Sequence, residues 1–284
     1  MPETNLNNYK FNYVENGDGE KLILVHGSAS DHRTWDKQIS DFGNYYKTIA
    51  YSRRFHFPNK SILEMEDYSM EQHIEDLKEF LKYLGNKPVH LVGHSYGALI
   101  CLHLAIKNPQ LVRTLILAEP PAVTLFVSNQ PKPKEILKLL LTKPKLALDI
   151  VKFGAKGIAP ATKAFKKNDM DKALDIFGKA TLGIKTYLNL SKSRLDQART
   201  NLIKSELLGS GFLPLDKDKI RKIKLPTLLI SGQESPKIWQ DLLFEIKKLI
   251  PNSELKIIPK ASHIIHEDNV SNYNETVLSF LKTR

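Results

Sequence analysis

Gly93-His94-Ser95-Tyr96-Gly97 sets a hydroxyl between two glycines, directly after the apolar run Val89–Val92 and directly before a helical stretch. A serine in that context sits on a tight strand-to-helix turn, where the glycines permit close backbone approach. The turn projects Oγ above the edge of a sheet. The following helix aims its N-terminal dipole and first N–H groups at negative charge developing on a bound carbonyl. Ser95 is therefore the candidate nucleophile. Metal and dinucleotide chemistry find no counterpart: the chain has no HxH, CxxC or HExxH spacing, and no G-x-G-x-x-G opens a helix. No metal and no cofactor are expected. Cys101, six positions past Ser95 and without a cysteine partner, reads as a small packed hydrophobe.

The elements that must hold Ser95 are legible as short apolar runs rich in branched residues: Leu22–Val25, Thr48–Tyr51, Val89–Val92, Thr114–Leu117, Thr227–Ile230 and Leu255–Ile258. Runs apolar throughout predict central strands buried on both faces. Between the second and third, Ser69-Met70-Glu71-Gln72 has the form of a capping box and opens an amphipathic segment that Gly85-Asn86-Lys87-Pro88 stops. A second helical stretch follows Ser95 and runs to Asn108-Pro109. Strand alternating with helix predicts an α/β fold with a doubly wound, mostly parallel sheet. The alternation lapses after Pro120-Pro121 and resumes at Leu225-Pro226. The expected organisation is thus a core of residues 1–121 and 225–284 with a helical insert of residues 122–224. One amphipathic segment of the insert is marked by Leu137, Leu140, Leu141, Leu148, Ile150 and Val151, and another by Ala173, Leu174, Ile176, Phe177 and Ala180. Lysine and leucine in this proportion would suit a membrane surface. The reading adopted is a lid whose apolar side faces a substrate pocket.

From the elbow outward the chain resembles the α/β-hydrolase superfamily, over Lys21 to Lys282. In that superfamily an elbow aspartate marks enzymes that displace halide or open epoxides, so serine here implies acyl chemistry. Leu22-Ile23-Leu24-Val25-His26-Gly27-Ser28 lies where the superfamily places its oxyanion loop. The resemblance implies that the N–H groups of Ser28 and Tyr96 form the oxyanion hole. Arg53-Arg54 falls where many relatives carry aspartate followed by Arg-Gly; Ser52 replaces the acid, and the arginines read as loop-fixing. The order Ser, Asp or Glu, His implies a base near the C-terminus, and His263 in the loop after Leu255–Ile258 fits, ahead of His266. His90, His94 and His103 read as structural. Relatives usually place the triad acid three residues beyond a glycine after the strand Thr227–Ile230, where this chain has Ser235. Glu234 is one residue early. Glu119, 24 residues after Ser95, matches haloalkane dehalogenases that use a glutamate after the preceding strand, and is the expected acid.

The apolar fraction of 42%, with no long uncharged apolar run, predicts a globular chain without stable membrane insertion. The net charge of +11 reads as a lysine-rich solvated surface, because no basic run is interleaved with aromatics as in a nucleic-acid groove. A polar, Asn-rich start and a single cysteine suggest a cytoplasmic setting. The expected function is a carboxylesterase-like serine hydrolase acting through an acyl-enzyme on a small-to-medium, largely apolar carboxylic ester. The same triad serves carbon–carbon bond hydrolases, thioesterases and perhydrolases. Ring-cleavage hydrolases usually show a glycine-rich oxyanion loop, where this chain has Ser28-Ala29-Ser30. A non-catalytic ligand-binding receptor on this fold is the alternative of another class.

Overall fold

The computed structural model describes residues 1–61, 68–202 and 211–284. Eight strands form one sheet. β1 (Glu3–Leu6) and β2 (Tyr9–Asn16) are antiparallel to their neighbours. The six apolar runs become β3 (Lys21–Val25), β4 (Lys47–Tyr51), β5 (Val89–His94), β6 (Val112–Ala118), β7 (Thr227–Gly232) and β8 (Glu254–Ile258), all parallel. The spatial order is β1-β2-β4-β3-β5-β6-β7-β8. After β3 the chain steps outward to β4 and then crosses back to place β5 on the other side of β3. Winding reverses between β3 and β5, and a crevice opens beyond their carboxyl ends. His26-Gly27 follows β3 and Ser95 follows β5.

Helices α1 (Asp36–Phe42), α2 (Met70–Tyr83) and α3 (Tyr96–Lys107) follow β3, β4 and β5. Ser69 caps α2 by accepting from the Gln72 N–H, while the Gln72 side chain donates to Asp76. Between β6 and β7 lie α4 (Pro133–Thr142), α5 (Pro144–Phe153), α6 (Ala159–Lys166), α7 (Met170–Leu182), α8 (Ile184–Leu188), α9 (Lys192–Asn201) and α10 (Lys217–Arg221), and no strand among the described residues. Then come α11 (Lys237–Leu249), α12 (Ile265–Asp268) and α13 (Val270–Leu281). On one face of the sheet Phe42 of α1 and Tyr273, Val277 and Phe280 of α13 cover Leu22, Val92 and Ile116. On the other, α2, α3 and α11 bring Ile74, Leu77, Leu99 and Ile246 against Ile23, Leu91 and Leu117. Cys101 is fully buried in this second layer, and burial pushes its thiol well above the ordinary value.

Three features depart from the sequence reading. The Asn-rich start is a hairpin: Asn7 and Asn8 both take positive φ, the requirement of a two-residue turn, and Tyr9, Phe11 and Tyr13 alternate inward. β8 is an edge strand paired only with β7, and Ile257 is exposed where a doubly buried strand was expected. The segment running from Leu137 to Val151 is two helices, because Pro144 cannot continue α4 and instead opens α5. Of its apolar markers, Leu137, Leu140, Leu141, Leu148 and Val151 point to solvent; Ile150 is buried.

Candidate active site

Ser95 holds φ +50° and ψ −120°, a conformation costly for any residue with a side chain. The residues two positions to either side must be glycine for steric reasons. A Cβ on Gly93 would meet the Ala98 Cα at 2.6 Å, and one on Gly97 the Val25 oxygen at 2.3 Å. The Ser95 N–H donates to the Ala118 carbonyl at 2.8 Å, tying the turn to β6.

The loop after β8 brings His263 over the turn. The Ser95 Oγ lies 3.0 Å from His263 Nε2, and His263 Nδ1 lies 2.7 Å from Glu119 Oε2. A carboxylate can only accept, so Nδ1 carries the proton and Nε2 accepts from the serine hydroxyl. Glu119 stands just past β6 at φ +45° and is fully buried. Its Oε1 accepts from Ser231 Oγ at 2.6 Å and Gly232 N–H at 3.0 Å; its Oε2 also accepts from Ser235 Oγ at 2.9 Å. Glu234 is half exposed and lies 3.7 Å from Lys185. Ser235, at the position where relatives usually carry an acid, has become a donor to the acid on the neighbouring strand. His266 is elsewhere, stacked on Trp35 with centroids 4.1 Å apart and 2.8 Å from Thr34 Oγ1.

Sequence reasoning missed the residues that hold His263 in place. His94 Nε2 donates to the His263 carbonyl at 2.7 Å, and the Trp239 ring lies 5.1 Å from the imidazole. Trp239 Nε1 donates to the Thr181 carbonyl, linking this wall to α7. The signal for Ser231 and Ser235 was their place at the end of an apolar run facing Glu119 across the sheet.

Ser28 and Tyr96 line the same cavity as Ser95 and His263. Behind the loop, the fully buried Arg53 donates to the His26 carbonyl at 3.2 Å and the Gly27 carbonyl at 3.0 Å. Its own N–H donates to His26 Nε2, so the Nδ1–H of His26 also reaches the Gly27 carbonyl, at 2.9 Å. The guanidinium lies over the Tyr96 ring at 4.8 Å. Arg54 is bound to Asp76 in a buried pair at 2.7 Å.

The cavity measures about 400 Å³, within the range of small-molecule sites. Val127, Ile150, Phe153, Leu174 and Phe177 form its apolar wall opposite the sheet. Arg194 is the one Lys, Arg, Asp or Glu among the described lining residues, and Glu267 neutralises it at 2.9 Å. A more open hollow at the far strand, by Glu254 and Arg284, shares no residue with it.

Burial depresses a set of histidines around the site. His26, His73 and His94 fall well below 6.5, burial being the main cause, with Arg53 adding to it at His26 and His73 and His266 and His263 at His94. His103 and His266 drop to about 4, again through burial. The unfolded chain takes up these protons below the ordinary value while the folded chain refuses them. Stability is therefore fully present above about pH 6.5 and is lost as pH falls toward 4, by about 1.4 kcal/mol per pH unit for each proton withheld. The urea midpoint is expected to be clearly lower at about pH 5.5, still above the carboxylate range, than at neutrality. Equal midpoints would contradict neutral buried imidazoles.

The family model for the alpha/beta hydrolase fold matches residues 21–270. The chain belongs to this family. Among its relatives, this α/β-hydrolase is 25% identical over 289 residues to epoxide hydrolase 3 of Xenopus tropicalis, across 96% of this chain and 75% of that protein. It is 21% identical to the (E)-2-((N-methylformamido)methylene)succinate hydrolase of Acinetobacter baylyi, across 98% of this chain and 96% of the other. A carboxylesterase structure from Bacillus subtilis superposes with TM-score 0.71 at 21% identity, covering 98% of this α/β-hydrolase and 90% of that chain. A likeness at that identity bears on the fold.

Proposed function

We propose that this α/β-hydrolase cleaves small-to-medium, largely apolar carboxylic esters through an acyl-enzyme. The observation that carries the reading is the hydrogen-bonded line Ser95, His263, Glu119, opening on an apolar cavity of about 400 Å³. In this reading His263 takes the Ser95 proton as Oγ attacks the carbonyl carbon. The N–H groups of Ser28 and Tyr96 receive the oxyanion. The alcohol leaves with the proton from His263, and the same imidazole then activates water to release the acid. Residues 122–224 act as the lid over the core of 1–121 and 225–284, supplying the apolar wall. The neutralised Arg194 supports an uncharged substrate, since a carboxylate-bearing one would need a cation at liberty to meet it.

Epoxide hydrolase 3 is a relative by sequence, but the serine at the elbow supports acyl transfer over alkyl-enzyme chemistry. A serine-directed fluorophosphonate is expected to label the wild-type chain and leave Ser95→Ala unlabelled. A panel of p-nitrophenyl esters graded by acyl length should then show a preference for short and medium chains. Failure of the wild-type chain to label would favour a non-catalytic ligand-binding role.

A further inference from the structure

The net positive charge of the chain comes from one segment. Residues 122–224 carry 22 Lys and Arg against 9 Asp and Glu, and the remaining residues carry 20 against 22. Residues 132–167 hold ten lysines and two acids, Glu135 and Asp149, and Lys143 is paired with Glu245 of α11. The same stretch exposes the apolar side chains noted above: Leu137 at 59%, Leu141 at 79% and Leu148 at 62%. Leu137, Leu140 and Leu141 are spaced i, i+3, i+4 along α4, and Leu148 and Val151 are i, i+3 along α5, so each helix carries one stripe. Both helices turn their other side to a shared cluster, in which Leu139, Leu146 and Ala147 pack with Ile238, Trp239 and Leu242. The stripes therefore face outward together, flanked by exposed Lys134, Lys138, Lys145 and Lys152.

We propose that this outer face of the α4–α5 hairpin docks the protein peripherally on an anionic lipid bilayer. The surface has two chemical halves and the bilayer matches both. Leucines enter the boundary between headgroups and acyl chains, and lysines lay their methylene stems along it with Nζ at the phosphates. A polynucleotide matches the lysines and leaves the leucines in water. A second copy matches the leucines and opposes one basic face to another. Docking is peripheral. No helix among the described residues is long and apolar enough to cross a membrane. The inner side of α5 gives Ile150 and Phe153 to the cavity wall, so docking sets the cavity one helix away from the acyl chains. The proposal does not depend on the ester reading.

The test is co-sedimentation of the intact protein with phosphatidylcholine vesicles, with and without about 30% phosphatidylglycerol. Binding is expected to rise at least about tenfold with the anionic lipid and to fall away at about 0.5 M salt. Leu141→Glu with Leu148→Glu should lower partitioning at least about tenfold, and so should Lys138→Glu with Lys145→Glu. Hydrolysis of a soluble ester, where measurable, and the thermal midpoint should stay at wild-type levels in both, since neither pair lines the cavity. Equal binding to neutral and anionic vesicles overturns the proposal. So does undiminished binding by the leucine pair, which would leave only the nonspecific attraction that RNA shares. A self-association abolished by the leucine pair would likewise assign the face to a second copy.

Discussion

Replacing Ser95 or His263 by alanine is expected to lower ester turnover by a factor on the order of 10⁶, the loss seen when one member of a serine triad is removed. Ser95 Oγ and His263 Nε2 are 3.0 Å apart, within reach for the imidazole to take the hydroxyl proton, and in the proposed reaction neither group substitutes for the other. The double variant should be no worse than either single one, because the two act as a unit. Ser95→Ala removes one oxygen from a turn whose tight packing lies at Gly93 and Gly97, so the fold should be retained. Steady-state kcat/KM on a p-nitrophenyl ester, alongside a thermal midpoint, is the measurement. More than a tenth of the wild-type rate in either variant would remove Ser95 and His263 from the chemistry.

Glu119→Gln is expected to cost about 10⁴ in kcat, the effect of presenting a triad histidine in the wrong tautomer. All four partners of the Glu119 carboxylate are donors: Ser231, Gly232, Ser235 and His263. An amide cannot accept from all four. Where its NH₂ meets His263, the imidazole gives up the Nδ1 proton, and Nε2 then presents a proton to Ser95 instead of a lone pair. Glu234→Gln should stay near wild type, since Glu234 is half exposed beside Lys185. Adding Ser235→Asp to Glu119→Gln should recover part of the lost rate, because Ser235 already touches the Oε2 that meets His263. The opposite ranking of Glu119 and Glu234 would move the acid to the strand after the insert.

The parallel strands were legible because doubly buried strands are dominated by apolar residues: Leu22–Val25 is apolar throughout, and Val89–Val92 and Thr227–Ile230 are apolar but for His90 and Thr227. The elbow was legible because one backbone geometry demands two glycines around a serine. The hairpin at the N-terminus was not, since Tyr9, Phe11 and Tyr13 bury alternate positions only and polar residues fill the gaps. The orientation of α4 and α5 also escaped the pattern. Periodicity places Leu141 and Leu148 on a stripe, but which side of a helix meets the protein depends on what α11 offers beneath it. Around the site, Ser231 and Ser235 gain meaning only through Glu119, a partner more than a hundred residues away in sequence.

The grip of Arg53 and His26 on the Gly27 carbonyl reaches further than holding a loop in shape. That carbonyl belongs to the same amide as the Ser28 N–H. Two donors on its oxygen draw electron density out of the nitrogen and strengthen the C–N double-bond character, so the amide proton becomes more acidic. Polarisation along hydrogen-bonded chains amounts to about 10–30% per bond. A fully buried arginine can thereby tune the amide of Ser28, a residue that lines the cavity, through one resonance-linked peptide.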